Sequence, residues 1–302
     1  MSEEINVPLL DLRAQYDTIR DEVEPIMRDV VESQWFVMGP KVADFEQGVA
    51  DYCGVKHAVG CASGSDSLLL ALMASDIGPG DEVICPSYTF FATAGSIWRL
   101  GAKPIFCDID PTTYNCTVET VSDAIGRCKN LKAIMPVHLF GQAVDLDGLM
   151  GLACENEVPL IEDAAQGIGC RDATGARVGS RAMFGCFSFF PSKNLGGFGD
   201  GGMITTNHSD VADRMRRLRN HGMEPKYYHD EVGLNSRLDA LQAAILHVKL
   251  RHLDSWSEGR RSNAASYDKM FDAAGAGRSG MNFEGTDIPL LRPSTPESPS
   301  YH

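Results

Sequence analysis

No two of the nine cysteines form a C-x-x-C pair; they are scattered at 53, 61, 85, 107, 116, 128, 154, 170 and 186. A zinc ribbon or a thioredoxin-type motif is therefore unsupported. Basic residues are scarce, 27 Lys and Arg against 41 Asp and Glu, for a formal charge of −14. No basic run offsets that balance, so neither nucleic acid nor an anionic membrane surface is expected as a partner. An anionic ligand must be met by a specific pocket. Long apolar runs are missing too: nothing approaches the ~20 residues of a membrane span. The start, MSEEINVPLLDL, is acidic and lacks the apolar core of an export signal. There is no G-x-x-x-x-G-K-[ST], so a P-loop is unsupported. Several cysteines sit inside apolar runs, such as Cys85 in VICP and Cys186 in FGCFSFF, where a thiol behaves as a small hydrophobe. Their odd number, without an export signal, points to a reducing cytoplasm.

What remains is an ordinary globular balance, 43% hydrophobic and 23% charged over 302 residues, enough for one large domain or two smaller ones. Seven short apolar runs, at 57–63, 82–87, 104–109, 132–138, 159–165, 185–190 and 202–207, have the continuity of strands buried on both faces. Helix-length segments at 65–75, 92–100, 118–128, 146–155 and 210–219 separate most of them, and Asp145 is placed to cap the fourth. This order predicts an α/β domain with a largely parallel sheet. Only 191–201 joins the last two runs, too short for a crossover helix, which predicts an antiparallel pair. Leu238, Leu241, Ile245 and Val248 recur at helical spacing and continue to Leu253 and Trp256, predicting one long amphipathic helix. A shorter helical stretch follows at 264–273, then AAGAGRSGMNFEGTD and a tail with Pro289, Pro293, Pro296 and Pro299. That tail cannot be a helix interior and need not be ordered.

Ligands of open α/β sheets bind beyond the carboxyl ends of the strands, so the polar groups after each run are the candidates. After the first run, Gly64-Ser65-Asp66-Ser67 leads straight into LLLALM. Small residues there expose a helix N-terminus, an anion site by its amides and dipole, although a simple capped turn accounts for the same residues. After PLIE comes Asp163, then Ala-Ala-Gln166. A carboxylate at a buried strand end is costly unless it meets a cation or donors. The protonated ring nitrogen of pyridoxal phosphate would serve, and so would a capped turn. Glu162 points to the opposite face if the pleat holds, so the two are not an acid–base pair. After GCFSFF comes Pro191-Ser192-Lys193-Asn194 and then a glycine-rich segment, GGFGDGG. Most lysines are solvated, but burial lowers a lysine pKa, and a neutral amine attacks an aldehyde to form a Schiff base.

With these three features in this order, the chain resembles the sugar aminotransferases of the DegT/DnrJ/EryC1/StrS family. The resemblance is carried by VPLLDLRAQY (7–16), WFVMGPKVADFE (35–46), SGSDSLLLAL (63–72), PSYTFFATA (86–94) and GAKPIFCDIDPTTYN (101–115). It continues through PVHLFGQAVDLD (136–147), IEDAAQGIG (161–169), FSFFPSKNLGGFGDGG (187–202), RNHG (219–222) and GLNSRLDALQAAIL (233–246). It implies an aspartate-aminotransferase-like fold (fold type I of pyridoxal-phosphate enzymes), whose large domain holds a mostly parallel seven-stranded sheet. The implied division is an N-terminal arm at 1–20, a large domain at 21–235, and a long helix with a partial small domain and Pro-rich tail at 236–302. Family members continue past this point, so the resemblance implies a C-terminally short chain with an incomplete small domain.

The resemblance also implies roles. Lys193 would hold pyridoxal 5′-phosphate through a Schiff base and shuttle the transferred proton, and Asp163 would pair with the pyridine nitrogen. Phe90 would stack on the ring and Gln166 would reach its hydroxyl. Gly64, Ser65 and Asp66, with Ser188, would hold the phosphate. Asn235 would reach the phosphate of a neighbouring subunit, implying a homodimer with shared sites, and Arg237 would face a sugar carboxylate or diphosphate. The implied reaction passes an amino group from glutamate to a nucleotide-linked keto sugar, with SGSDSLLLAL, FFATA and DIDPTTYN most similar to members that aminate carbon 3. Lys193 argues against the family's dehydratase branch, which carries His there. Ser65 and Ser67 replace the family's usual Thr and Ala. Two rival readings are a cofactor-binding but inactive homologue, acting as dimer partner or sensor, and an unrelated α/β binding protein with Lys193 at its surface.

Overall fold

The computed structural model describes residues 10–273 and two short strands at 281–283 and 286–288. Seven strands form its frame: β1 (His57–Cys61), β2 (Glu82–Pro86), β3 (Lys103–Cys107), β4 (Leu131–Ile134), β5 (Ile161–Asp163), β6 (Phe184–Ser188) and β7 (Gly202–Thr206). Each overlaps one of the apolar runs. β2 lies between β3 and β4, all parallel, while β5, β6, β7 and β1 follow one another in a second group. Parallel bridges from Ile134 to Leu160 and from Val137 to Asp163 join the groups. His138 N–H donates to Asp163 O at 3.0 Å across that seam. The result is one sheet of order β3-β2-β4-β5-β6-β7-β1, in which β7 alone runs against its neighbours. The short 191–201 connection dictates that reversal, because a parallel return needs a crossover of about a dozen residues or more.

Both faces of the sheet are buried, which is why its strands read as continuous apolar runs. Cys186 and Ile204 turn to one helix layer, Phe187 and Met203 to the other. On the first side pack α3 (Gly64–Ala74), α4 (Phe91–Arg99) and α7 (Ser209–Leu218), through residues such as Leu68, Ile97 and Met215. On the second, α5 (Val118–Ile125) and α6 (Leu146–Glu155) cover the β2–β4 end. There too α2 (Pro40–Cys53) and α8 (Ala240–Leu250) cover the rest, and α1 (Leu12–Ser33) lays Ile19 and Val23 on Ile245 and Val248 of α8. Caps set several helix starts. Asp145 Oδ1 accepts from Gly148 N–H at 3.2 Å, as the sequence predicts, and Ser63 Oγ accepts from Asp66 N–H at 3.1 Å. The free edge of β1 is closed by Glu46, which takes Gly60 N–H at 2.8 Å and pairs with Arg219.

The predicted single helix through Trp256 is broken. α8 ends at Leu250, and α9 runs over Leu253–Ala273, absorbing the separate stretch expected at 264–273. At the break, Arg251 and His252 N–H groups bond only three residues back, to Val248 O at 3.2 Å and Lys249 O at 3.0 Å, a tighter turn that redirects the chain. Glu22 of α1 clasps both side chains at the corner, at 2.7 and 2.8 Å. Apolar spacing survives the corner because Leu253 re-enters the core. α1 runs unbroken through position 20, and Ala243, Ala244 and Leu246 of α8 pack among large-domain residues beyond position 235. The Pro-rich tail at 289–302 lies outside the described residues. No described helix is long and apolar enough to cross a membrane.

Phe45 of α2 is fully buried and meets Phe189 edge-on, with ring centroids 5.3 Å apart. Phe45→Ala is expected to lower the unfolding free energy by about 3–5 kcal/mol. Urea titration checks this as a reduced midpoint at unchanged slope. A loss below about 1 kcal/mol would contradict the packing of the α2 layer.

Candidate active site

The carboxyl ends of β1, β5 and β6 open into one cavity of about 450 Å³, lined by residues that follow each strand: Gly64 and Ser65, Asp163 and Gln166, Ser188 and Lys193. The N-terminus of α3 reaches it because Gly64 has no side chain. A Cβ there would stand 2.5 Å from Ser188 Cβ, so only glycine lets the helix begin this close to β6. Ser63 Oγ occupies the Asp66 amide. The amides of Gly64 and Ser65, at the cavity wall, have no partner within the helix. Asp66 itself is not among the lining residues: its carboxylate accepts from Ser236 Oγ at 2.7 Å and is drawn aside.

Asp163 is 4% exposed. Its Oδ2 accepts from Thr93 Oγ1 at 2.8 Å and its Oδ1 from Ala165 N–H at 3.2 Å. Burial pushes its pKa above the usual carboxylate range; Thr93, Ala165, His138 and Lys193 pull the other way. Lys193 is half-buried, and that burial lowers its pKa against the pull of Asp163. Each group is thus disfavoured in its charged form by the same dry environment and favoured by the other's charge. Glu162, next in the chain, is arranged differently. It accepts from Gly179 N–H at 2.7 Å, Ala182 N–H at 3.1 Å and His138 Nε2 at 2.9 Å, away from the cavity. His138 Nδ1 accepts from Val144 N–H, which leaves Nε2 as the donor to Glu162.

Phe90 lines the cavity with its ring 75% exposed. Gln166 turns its Oε1 to Phe140 N–H at 2.7 Å, which fixes the carboxamide at the wall. Asn235 and Arg237 are not brought there. Asn235 is exposed and bridges Asn220, and Arg237 Nη1 donates to Asn220 Oδ1 at 3.0 Å. The residue that sequence reasoning missed is Thr93, fully buried between Asp163 and Thr89, whose hydroxyl lies 2.9 Å away. A signal existed: Thr93 follows Phe90 by one helical turn in FFATA, on the same face as a candidate. Asp200 and Ser192 also line the cavity without having been expected.

The donor set fits a flat heterocycle with a protonatable nitrogen and a phosphate. An undercompensated carboxylate, a lysine of lowered pKa and a helix N-terminus share one cavity beside an exposed aromatic face.

Residues 17–284 match the DegT/DnrJ/EryC1/StrS aminotransferase family. The chain is 48% identical over 270 residues to a pleiotropic regulatory protein of Geobacillus stearothermophilus, covering 89% of this chain and 72% of that one. It is 45% identical over 267 residues to a UDP-N-acetyl-3-dehydro-alpha-D-glucosamine 3-aminotransferase of Acidithiobacillus ferrooxidans, covering 88% and 72%. Among solved structures, S. venezuelae DesV in complex with a ketimine intermediate has a TM-score of 0.89 at 41% identity, over 98% of this chain and 76% of that one.

In the ligand-free protein Asp163 holds its proton to higher pH than in the unfolded chain. Its contribution to stability therefore falls as pH rises from the ordinary carboxylate value of about 3.9 through the raised one, and stays unfavourable above it. Asp163→Asn removes that cost. The ligand-free variant is expected to melt above the parent at pH 7, with the gap closing as pH falls below about 4. A variant melting below the parent at pH 7 would show that the carboxylate carries no burial cost.

Proposed function

The chain belongs to the DegT/DnrJ/EryC1/StrS aminotransferase family, and on that premise we propose that it transfers the amino group of glutamate to carbon 3 of a nucleotide-linked keto sugar. Pyridoxal 5′-phosphate is the cofactor of this family. The observation that carries the reading is the pair Asp163 and Lys193, both penalised by burial when charged, lining a cavity walled by the α3 N-terminus. Bound there, the cofactor supplies an electron sink for negative charge at the amino-bearing carbon.

In this reading Asp163, held by Thr93 and Ala165, would pair with the cofactor's ring nitrogen and favour its protonated form. The Gly64 and Ser65 amides and the Ser188 hydroxyl would hold the phosphate, while the Asp66 carboxylate, proposed from the sequence for the same role, is turned to Ser236. Phe90 would stack on the ring and Gln166 would reach its hydroxyl. Lys193 would hold the cofactor and, once free of it, would be the side chain that takes the proton from the donor's α-carbon and gives it back in the half-reaction that aminates the sugar. Its lowered pKa suits that work, because a base that exchanges protons near neutrality must be partly neutral there.

Asn235 is assigned to the phosphate of a neighbouring subunit and Arg237 to the carboxylate or diphosphate of the substrate, in a homodimer with shared sites. Their position outside their own chain's cavity supports this. Carbon-3 amination is supported by the named activity of the Acidithiobacillus relative. Nine free thiols, seven of them buried, fit a reducing cytoplasm.

The test is the visible spectrum of the protein with pyridoxal phosphate, before and after borohydride, followed by glutamate and a nucleotide 3-keto sugar. Wild type is expected to show a lysine-bound cofactor band that reduction fixes. Lys193→Ala is expected to lack the adduct and to lose turnover by at least ~100-fold. A band without turnover would assign the chain to the cofactor-binding, non-transferring reading. No band in a folded dimer would overturn both.

A further inference from the structure

Lys249, on α8, is 1% exposed. Among the described residues no carboxylate pairs with it, and the charged group acting on it is a second cation, Arg260, whose Nη1 is buried without a hydrogen-bond partner. The ring centroids of Phe198 and Trp256 lie 5.6 and 5.9 Å from its Nζ. Burial first, and Arg260 second, bring its pKa down to about 8. A methionine fills a similar volume with no charge to desolvate. What the amine touches is therefore the feature to explain.

It touches the loop that carries Lys193. Lys249 Nζ donates to the carbonyl of Gly196, three residues beyond Lys193. A Cβ on Gly196 would stand 2.2 Å from Pro191 O, so this segment is folded tightly back on itself. Lys193 N–H donates to Phe190 O and Gly197 N–H to Phe189 O, both at 2.8 Å. Two turns earlier on the same face of α8, Gln242 Oε1 accepts from Phe198 N–H at 2.8 Å. Side chains on Gly197 or Gly199 would run into its carboxamide, at 2.8 and 3.0 Å, so the glycines let Gln242 lie flat against the loop.

We propose that Lys249 and Gln242 are positioning residues: through Gly196 and Phe198 they fix the loop at 189–199 and so aim the Lys193 amine into the cavity. The inference rests on the reading of Lys193 given above. Phe189 and Leu195 of this segment are packed in the core, but the glycines at 196, 197 and 199 bring no side chain of their own to hold the chain beyond them, and the hydrogen bond from Lys249 to the Gly196 carbonyl supplies a fixed point there.

The test uses the full chain with Lys249→Met, which keeps the side-chain length and removes the donor. In cofactor-free protein, hydrogen exchange over 189–201 is expected to be about 10-fold faster, with the rest of the sheet unchanged. Formation of the borohydride-trapped pyridoxal phosphate adduct is expected to slow about 10-fold, and the melting temperature to stay within about 3 °C of wild type. Unchanged exchange and unchanged trapping would overturn the proposal, as a lysine kept only for packing predicts. Should Lys249→Met fail to fold, Gln242→Ala, which frees Phe198 N–H, is held to the same two readouts with the same meanings. Wild type that traps no cofactor would instead overturn the reading of Lys193, and the exchange result would then decide the tether by itself.

Discussion

A carboxylate buried at the end of a central strand must be answered by something, and β5 ends in two of them. The pleat sends them to opposite sides. Glu162 is answered within the protein by two backbone amides and His138. Asp163 receives one hydroxyl and one amide and keeps the rest of its demand for the cavity. That difference organises the site. β5 is held between β4 and β6, so Asp163 cannot swing out to solvent, and Thr93 and Ala165 each hold one of its oxygens. A cation placed in the cavity recovers free energy that folding had left unrecovered, which is how a fold can prefer its occupied state without a strong site in the ordinary sense.

The second requirement is close approach of backbones, and β6 and β7 meet it with glycines. Gly64 admits the start of α3 to Ser188, and a Cβ on Gly202 would stand 2.3 Å from Ser63 O on the other side of the same turn. The period of two along β6 also places Ser188. Phe184 and Cys186 face the α3 layer, so Ser188 faces it too, at the point where the helix begins. Five residues later, after a tight turn, the chain reaches Lys193. One strand thus delivers a hydroxyl and an amine to a single cavity because its alternation and its connection length both point there.

Much of this was legible in the sequence for a physical reason. Strands buried on both faces must be apolar throughout, so they stand out as runs, and the residues that follow them must sit at the sheet's carboxyl edge. Gly64, Asp163 and Lys193 were found that way, whereas Ser188 was marked by the family resemblance. The reversal of β7 was legible from connection length alone. The helix break at Arg251 was not, because apolar spacing continues through the corner and the residue that clasps it, Glu22, lies far away in the chain. Thr93 was not, because a threonine in the first turn of a helix looks the same whether its hydroxyl caps the helix or holds a carboxylate 70 positions later. Asn235 and Arg237 show the converse: a motif marks them as site residues, while the connection between α7 and α8 carries them away from their own chain's cavity.

An acidic protein that takes a phosphate must attract it without a general positive field, and the choice of donor has consequences for the chemistry. Asp66, the carboxylate nearest the start of α3 in sequence, is turned to Ser236, which spares the helix terminus its repulsion. In the proposed site the attraction there would come from amides and hydroxyls, which do not titrate. Among the described residues lining the cavity, Lys193 is the one basic side chain. Had arginine or a second lysine held the phosphate, its charge would have lowered the pKa of Lys193 further and competed with the ring nitrogen for Asp163. With neutral donors, the two ionisable partners answer chiefly to each other and to the ligand. The proton moved in each half-reaction then has one basic side chain to visit, and the reaction's direction is left to the substrates that enter.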